Sequence, residues 1–254
     1  MGTPTTTLRC RARGLIAVAA TVGCALPEYE TDPAIDCAQL ANNDQCDEAF
    51  CPDDPQCIAL EDRPAAVPMD ESCWVPRTSN RGEIQGVWYG FADEKVVTIP
   101  EGFCPYRPGD GAMCLVGETI VDPTYKAWGA GVGLDLNFPN WGTGPEDKLP
   151  WDAAARGIVG FRLVIVGTVP QGLRVNFATV PVAAEAQPFV DLPTVPGTHE
   201  VRFATAAVPD GWDAGTAGMT VDPSGIYSIE FQAIGGDIGA PFEFCVASLA
   251  PIWE

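Results

Sequence analysis

Two pairs of polar residues stand where they could act together. Arg174 and Asn176 occur in GLRVNFAT, and Glu230 and Gln232 in IYSIEFQAI. Apolar residues fill the alternate places. A strand would therefore turn these polar side chains to one face and Leu173, Val175, Phe177, Ile229 and Phe231 to the other. Asp135, Asn137 and Arg202 hold the same polar parity in their own runs. A guanidinium offers a fork of donors, a carboxylate accepts, and a primary amide does both. Such a set suits a ligand rich in neighbouring hydroxyls. A plain solvated sheet face would have the same pattern and is the competing reading.

Flat rings are the second class of candidate. Trp88, Tyr89, Trp128, Trp141, Trp151, Trp212 and Tyr227 fall near the ends of apolar runs or in loops. A ring can stack on a C–H face, and an indole N–H can bond a hydroxyl. Most are expected to pack, with Trp88 and Trp128 structural. Trp141 and Trp151 flank the polar loop GTGPEDKL and are the candidates for an exposed rim.

Catalytic patterns are missing. No G-x-S-x-G elbow, H-E-x-x-H pair, P-loop or G-x-G-x-x-G is present. The lone histidine, His199, opens a strand-like run and reads as a surface or packing residue. Among 34 acidic residues some pair always looks fit for glycoside cleavage, so that signal carries no weight. The E-x-x-D-x-x-E-like strand signature of laminarinase-type enzymes is absent. We therefore expect no enzyme. A formal charge of -20 also argues against a nucleic-acid partner, which needs clustered Lys and Arg.

The elements that would carry these residues are short strands. Period-two runs separated by Gly and Pro predict strands over 84–92, 95–100, 112–121, 126–137, 157–167, 172–180, 198–206, 226–234 and 241–250. A helical turn is expected over WDAAA, residues 151–155. So many strands without helical periodicity imply an all-β sandwich or barrel. The segments EIQGVWYGFAD, WGAGVGLDLN, WDAAARGIVGFRLVIVG, GLRVNFAT, IYSIEFQAI and FEFCVASL occur in that order. Together they resemble the galactose-binding-like jelly rolls of secreted bacterial proteins, which include carbohydrate-binding modules. The resemblance implies an antiparallel jelly-roll β-sandwich over residues 82–254. In many relatives the last strand ends in an Asp pair, one of which often holds a structural calcium. Ala247 and Ser248 occupy those places here, so calcium is expected only if Glu243 or Asp93 supplies oxygens, and no cofactor is expected otherwise.

The chain opens with arginines and no acid, followed by a short apolar run over 15–23, which describes a secretory signal peptide over 1–24. Thr21-Val22-Gly23-Cys24 resembles a bacterial lipobox, with Thr21 where Leu is usual. Cys24 is thus the expected lipid anchor, and cleavage near Ala25 is the alternative. The expected location is the bacterial outer membrane or cell surface, or the medium. Residues 25–63 form an acidic segment holding Cys37, Cys46, Cys51 and Cys57. Without a C-x-x-C pair or a nearby histidine, disulfides are favoured over zinc. PAAVPMDES then reads as a proline-stiffened hinge within a linker over 64–81. Cys73, Cys104, Cys114 and Cys245 remain for the main domain. Proximity favours Cys104–Cys114, with Cys114–Cys245 as its rival.

The resemblance also implies a concave sheet face, since relatives that hold sugars use that hollow. A shallow glycan groove is expected around Arg174, Asn176, Glu230 and Gln232, with Trp141 or Trp151 at its rim. The partner would be a polysaccharide, and any membrane contact would run through the lipid anchor. A structural or adhesive surface protein and an unrecognised glycoside hydrolase are the alternatives.

Overall fold

The computed structural model describes residues 60–92, 103–118, 129–139, 147–180, 187–209, 217–234 and 241–254. Cys24, Cys37, Cys46, Cys51, Cys57, Asp93, Trp128, Trp141, Trp212 and the strand expected over 95–100 lie outside the described residues. Among the described residues no helix is long and apolar enough to cross a membrane.

The strands are β1 (Trp74–Val75), β2 (Gly86–Ala92), β3 (Tyr106–Arg107), β4 (Ala112–Glu118), β5 (Ala130–Asp135), β6 (Ile158–Thr168), β7 (Leu173–Ala178), β8 (Phe189–Asp191), β9 (Gly197–Arg202), β10 (Ser228–Ala233) and β11 (Pro241–Trp253). They form a six-stranded sheet, β1-β2-β5-β10-β7-β8, and a five-stranded sheet, β3-β4-β11-β6-β9. Every pair of named strands is antiparallel. The expected helical turn is a 3-10 turn, Ala154–Arg156.

The alternation in the sequence sets the core. Leu173, Val175 and Phe177 face inward from one sheet, and Phe161, Leu163 and Ile165 from the other. Phe203 bridges the layers, edge-on to Phe161 at 6.0 Å and to Phe177 at 5.4 Å between centroids. Two T-shaped contacts in sequence lock the sheets laterally as well as burying apolar area. In β11 the inward set changes from Phe242, Phe244 and Val246 to Leu249 and Pro251. A register shift between Val246 and Ser248 makes Ala247 the extra residue that flips the parity.

Two disulfides join described residues, Cys73–Cys104 and Cys114–Cys245. This corrects the expectation of Cys104–Cys114. The Cys114 N–H donates to the Pro105 carbonyl at 2.8 Å, so Cys104 lies one residue out of step across the hairpin. Cys104 packs against the inter-sheet core, whereas Cys114 sits with Ala112 and Cys245 on the other side of the sheet. Cys245 is the cross-strand partner of Cys114, with Cα atoms 4.0 Å apart.

The segment expected as a linker over 64–81, with a hinge at 64–72, packs onto the sandwich. Val67 and Val75 are core residues, and the Val67 N–H donates to the Leu249 carbonyl at 2.8 Å. β1 adds to the edge of β2, and Cys73 is tied to Cys104. Proline content alone made it look like a linker, but its apolar residues have a core to enter.

Candidate functional site

The register of the six-stranded sheet sets two rows of outward side chains. Tyr89, Gly133, Glu230, Asn176 and Phe189 follow one another across β2, β5, β10, β7 and β8. Phe91, Gly131, Gln232, Arg174 and Asp191 form the next row. The candidates Arg174, Asn176, Glu230 and Gln232 therefore share one face, as a square across β7 and β10. Asp135 and Ser228 continue it one row further.

These side chains are linked. The Asn176 amide donates to Gln232 Oε1 at 2.8 Å, joining the rows. The Tyr89 hydroxyl donates to Glu230 Oε1 at 3.1 Å. The Arg174 guanidinium lies 4.4 Å from the Phe189 ring centroid, and the charge of Asp191 acts on it from β8. Lys148 Nζ stands 2.8 Å from Asp135 Oδ1 and 5.4 Å from the Tyr89 ring centroid.

The face is largely shielded from solvent. Arg174 is 7% exposed, Asn176 6% and Asp135 2%, and Glu230 and Gln232 are half-buried. Long polar side chains on a bare solvated sheet would be open to water. Charged groups held this far from solvent cost free energy unless they are paired, and such clusters mark functional sites more often than plain surface.

Glycines make room for the aromatic side of this face. A Cβ on Gly133 would meet Cζ, Cε2 and Oη of Tyr89 at 2.3, 2.5 and 2.6 Å, and one on Gly131 would meet Cζ of Phe91 at 2.3 Å. Both rings thus reach from β2 across β5 into space that side chains would otherwise take. Phe103 stacks on Tyr89 with centroids 6.0 Å apart and is 52% exposed.

Burial governs the titratable groups. It raises the Glu230 carboxyl, helped by the charge of Asp135 and opposed by Tyr89, Lys148 and Asn176. It also raises Asp135, against the pull of Lys148. Arg174 is lowered by burial, with Asp191 opposing. Tyr89 is raised by burial and then by the charges of Glu230 and Asp135.

Among the described residues, the close grouping of metal-ligand types is Asp110, Cys114 and Cys245. Its two sulfurs are joined in a disulfide and offer no thiolate. Glu243, considered for calcium, forms an ion pair with Arg107.

Other candidates fall elsewhere. Trp151 is 2% exposed, stacks on Phe161, and donates its indole N–H to the Gly82 carbonyl. It is a core residue and not the rim expected from its flanking loop. Arg202 lies on β9 of the other sheet, beside Glu200. Asn137 follows β5 and donates to the Pro150 carbonyl. Sequence reasoning left Phe91, Phe103 and the Asp135–Lys148 pair out of the site. Aromatics at 89 and 91 against glycines at 131 and 133 were the available signal. It becomes readable once β2 and β5 are known to be neighbours.

A scan against protein-family models finds no match, and neither does a search of curated proteins. Among solved structures, the chain is similar to a family 11 carbohydrate-binding module of a cellulosomal cellulase of Clostridium thermocellum. That match has a TM-score of 0.40 and 15% identity, over 66% of this chain and 89% of the other. A structure of a family 11 module from the same organism with a β-1,3-1,4-mixed-linked tetrasaccharide matches with a TM-score of 0.39 and 13% identity, over 65% of this chain and 88% of that one. An agarase matches with a TM-score of 0.31 and 14% identity, over 64% of this chain and 24% of the enzyme.

Proposed function

We propose that this chain is a non-catalytic glycan-binding module whose ligand lies on the outer face of the six-stranded sheet. Arg174, Asn176, Glu230 and Gln232 grip hydroxyls. The rings of Tyr89 and Phe103 supply the apolar side. The observation that carries this reading is the shielded, hydrogen-bonded square of donors and acceptors beside an aromatic strip. Sugars need this combination, because their rings carry paired hydroxyls at the edge and C–H groups on the face. The strand order is read as a jelly roll.

The two disulfides fit an oxidising compartment. We take the chain to be exported, with Cys24 as the lipid anchor. Replacing Cys24 by Ser in a Gram-negative host should move the protein from the membrane to the soluble fraction. Continued membrane fractionation would rule the anchor out.

The binding test is affinity electrophoresis and calorimetry of the full chain against immobilised β-glucans, xylan, mannan and agarose. Retention by one or more that Arg174→Ala and Gln232→Ala weaken supports the reading. Retention that both variants leave unchanged puts the ligand elsewhere.

A further inference from the structure

The outer face carries two carboxylates in unequal settings. Asp135 has its own cation, Lys148 Nζ at 2.8 Å. Among the described residues Glu230 has none of its own, and its hydrogen-bond partners are the neutral Tyr89 hydroxyl and the Asn176 amide. Among the described residues, the charged or titratable groups facing Glu230 are Tyr89 from β2, Asp135 from β5 and Lys148 from the segment before Trp151. Arg174 is one row along β7 and has Asp191 opposite it. When both carboxylates are ionised, Asp135, Glu230 and Lys148 together carry a net charge of minus one. That charge is shed most readily at Glu230, since Asp135 would forfeit an ion pair.

We propose that Glu230 is a proton-operated switch of the outer face, holding Tyr89 and a ligand hydroxyl when ionised and releasing its grip when protonated. The proposal rests on the glycan reading of the face and adds its regulation. An ionised carboxylate accepts stronger hydrogen bonds than a protonated one. Tyr89 is the reporter built into the fold. Its hydroxyl donates to Glu230, its ring stacks with Phe103, and Lys148 sits over its face. Proton uptake at Glu230 weakens the acceptor that fixes the Tyr89 ring over Gly133. The aromatic strip and the polar square therefore loosen together. Burial, together with the Asp135 charge, moves the event upward from the usual glutamate value, against the pull of Tyr89, Lys148 and Asn176.

The experiment is a carbon-detected side-chain carboxyl titration of the full chain labelled at glutamate, with Glu230→Gln used to assign the resonance. It is run beside retention on the same immobilised β-glucans, xylan, mannan and agarose at matched pH values. The expected result is a Glu230 midpoint above those of the exposed glutamates, with Tyr89 ring resonances moving at the same midpoint. Retention of the wild type should fall about three- to tenfold on acidification through that midpoint, while Glu230→Gln shows no step there. An ordinary Glu230 midpoint, or Tyr89 resonances that do not follow it, overturns the switch. Absence of retention on every polysaccharide at every pH overturns the glycan reading, and the carboxyl and Tyr89 titrations still decide the switch.

Discussion

Asn176 on β7 and Gln232 on β10 are diagonal neighbours, and the amide of one donates to the carbonyl of the other at 2.8 Å. The bond fixes which way both amides present their remaining donors and acceptors. Asn176→Ala should therefore weaken glycan binding twice, through its own lost contacts and through a freed Gln232. We expect a loss of about 1–3 kcal/mol by calorimetry, the scale of one or two hydrogen bonds. Gln232→Ala in that background should cost less than it does alone, because the pair acts as a unit.

Gly133 tests the aromatic side. Its substitution by Ala puts a methyl where the Tyr89 ring lies, with all three nearest atoms belonging to that ring. Forced overpacking of this kind costs about 1–3 kcal/mol. Gly133→Ala should lower both stability and glycan affinity, measured by urea unfolding and calorimetry. Tyr89→Ala in the same chain should recover the stability and leave the affinity low. Equal stability of Gly133→Ala and wild type would mean the ring has another place to go.

Much of the sandwich is legible in the sequence because its long strands alternate cleanly. β6, β7, β10 and the first half of β11 bury the residues their pattern selects. β1, β3 and β8 have two or three residues each, too few to show a period. The parity change at Ala247 is likewise invisible until a partner strand fixes the register. The disulfide error has a related cause. Sequence spacing measures reach, whereas a hairpin sorts cysteines by face, and Cys104 and Cys114 fall on opposite ones.

The polar square was legible for the same reason as the core, since both pairs sit in alternating runs. Whether the two strands touch was not, and the β7–β10 register supplies that. Trp151 misled because its neighbours are polar in sequence, while its indole N–H has a carbonyl to bond inside the fold. Lys148 was unreadable for the opposite reason. It lies in a loop, and only folding lays it over Asp135 and Tyr89.

Lys148→Met should expose how much the outer face depends on this one cation. Asp135 would remain buried without its partner, and breaking such a pair costs on the order of 3 kcal/mol. With Lys148 gone, nothing opposes the upward push of burial on Asp135, so its carboxyl protonates at higher pH than in the wild type. The deficit in urea unfolding should therefore be largest near neutral pH and shrink on acidification. Adding Asp135→Asn should restore most of the stability at neutral pH. A deficit independent of pH would point to lost packing of the lysine stem instead.

Glu230→Gln should separate function from stability. The folded protein holds the Glu230 carboxyl above its unfolded value, mainly through burial. A carboxyl raised in this way favours folding most when protonated, below the unfolded value of about 4.3. That contribution is lost as pH rises through the folded value, because the ionised group is then held where water cannot solvate it fully. Gln is nearly isosteric, can still accept from Tyr89, and never ionises. The variant should match the wild type in urea unfolding at low pH and become the more stable of the two as pH rises, reaching a constant advantage above the folded value. Its glycan affinity at neutral pH should be the lower of the two. Such a residue is costly to the fold and useful to the face, as expected of a group that contacts ligand. If Glu230→Gln is less stable than wild type at neutral pH, the carboxylate is holding the sheet together and its role is structural.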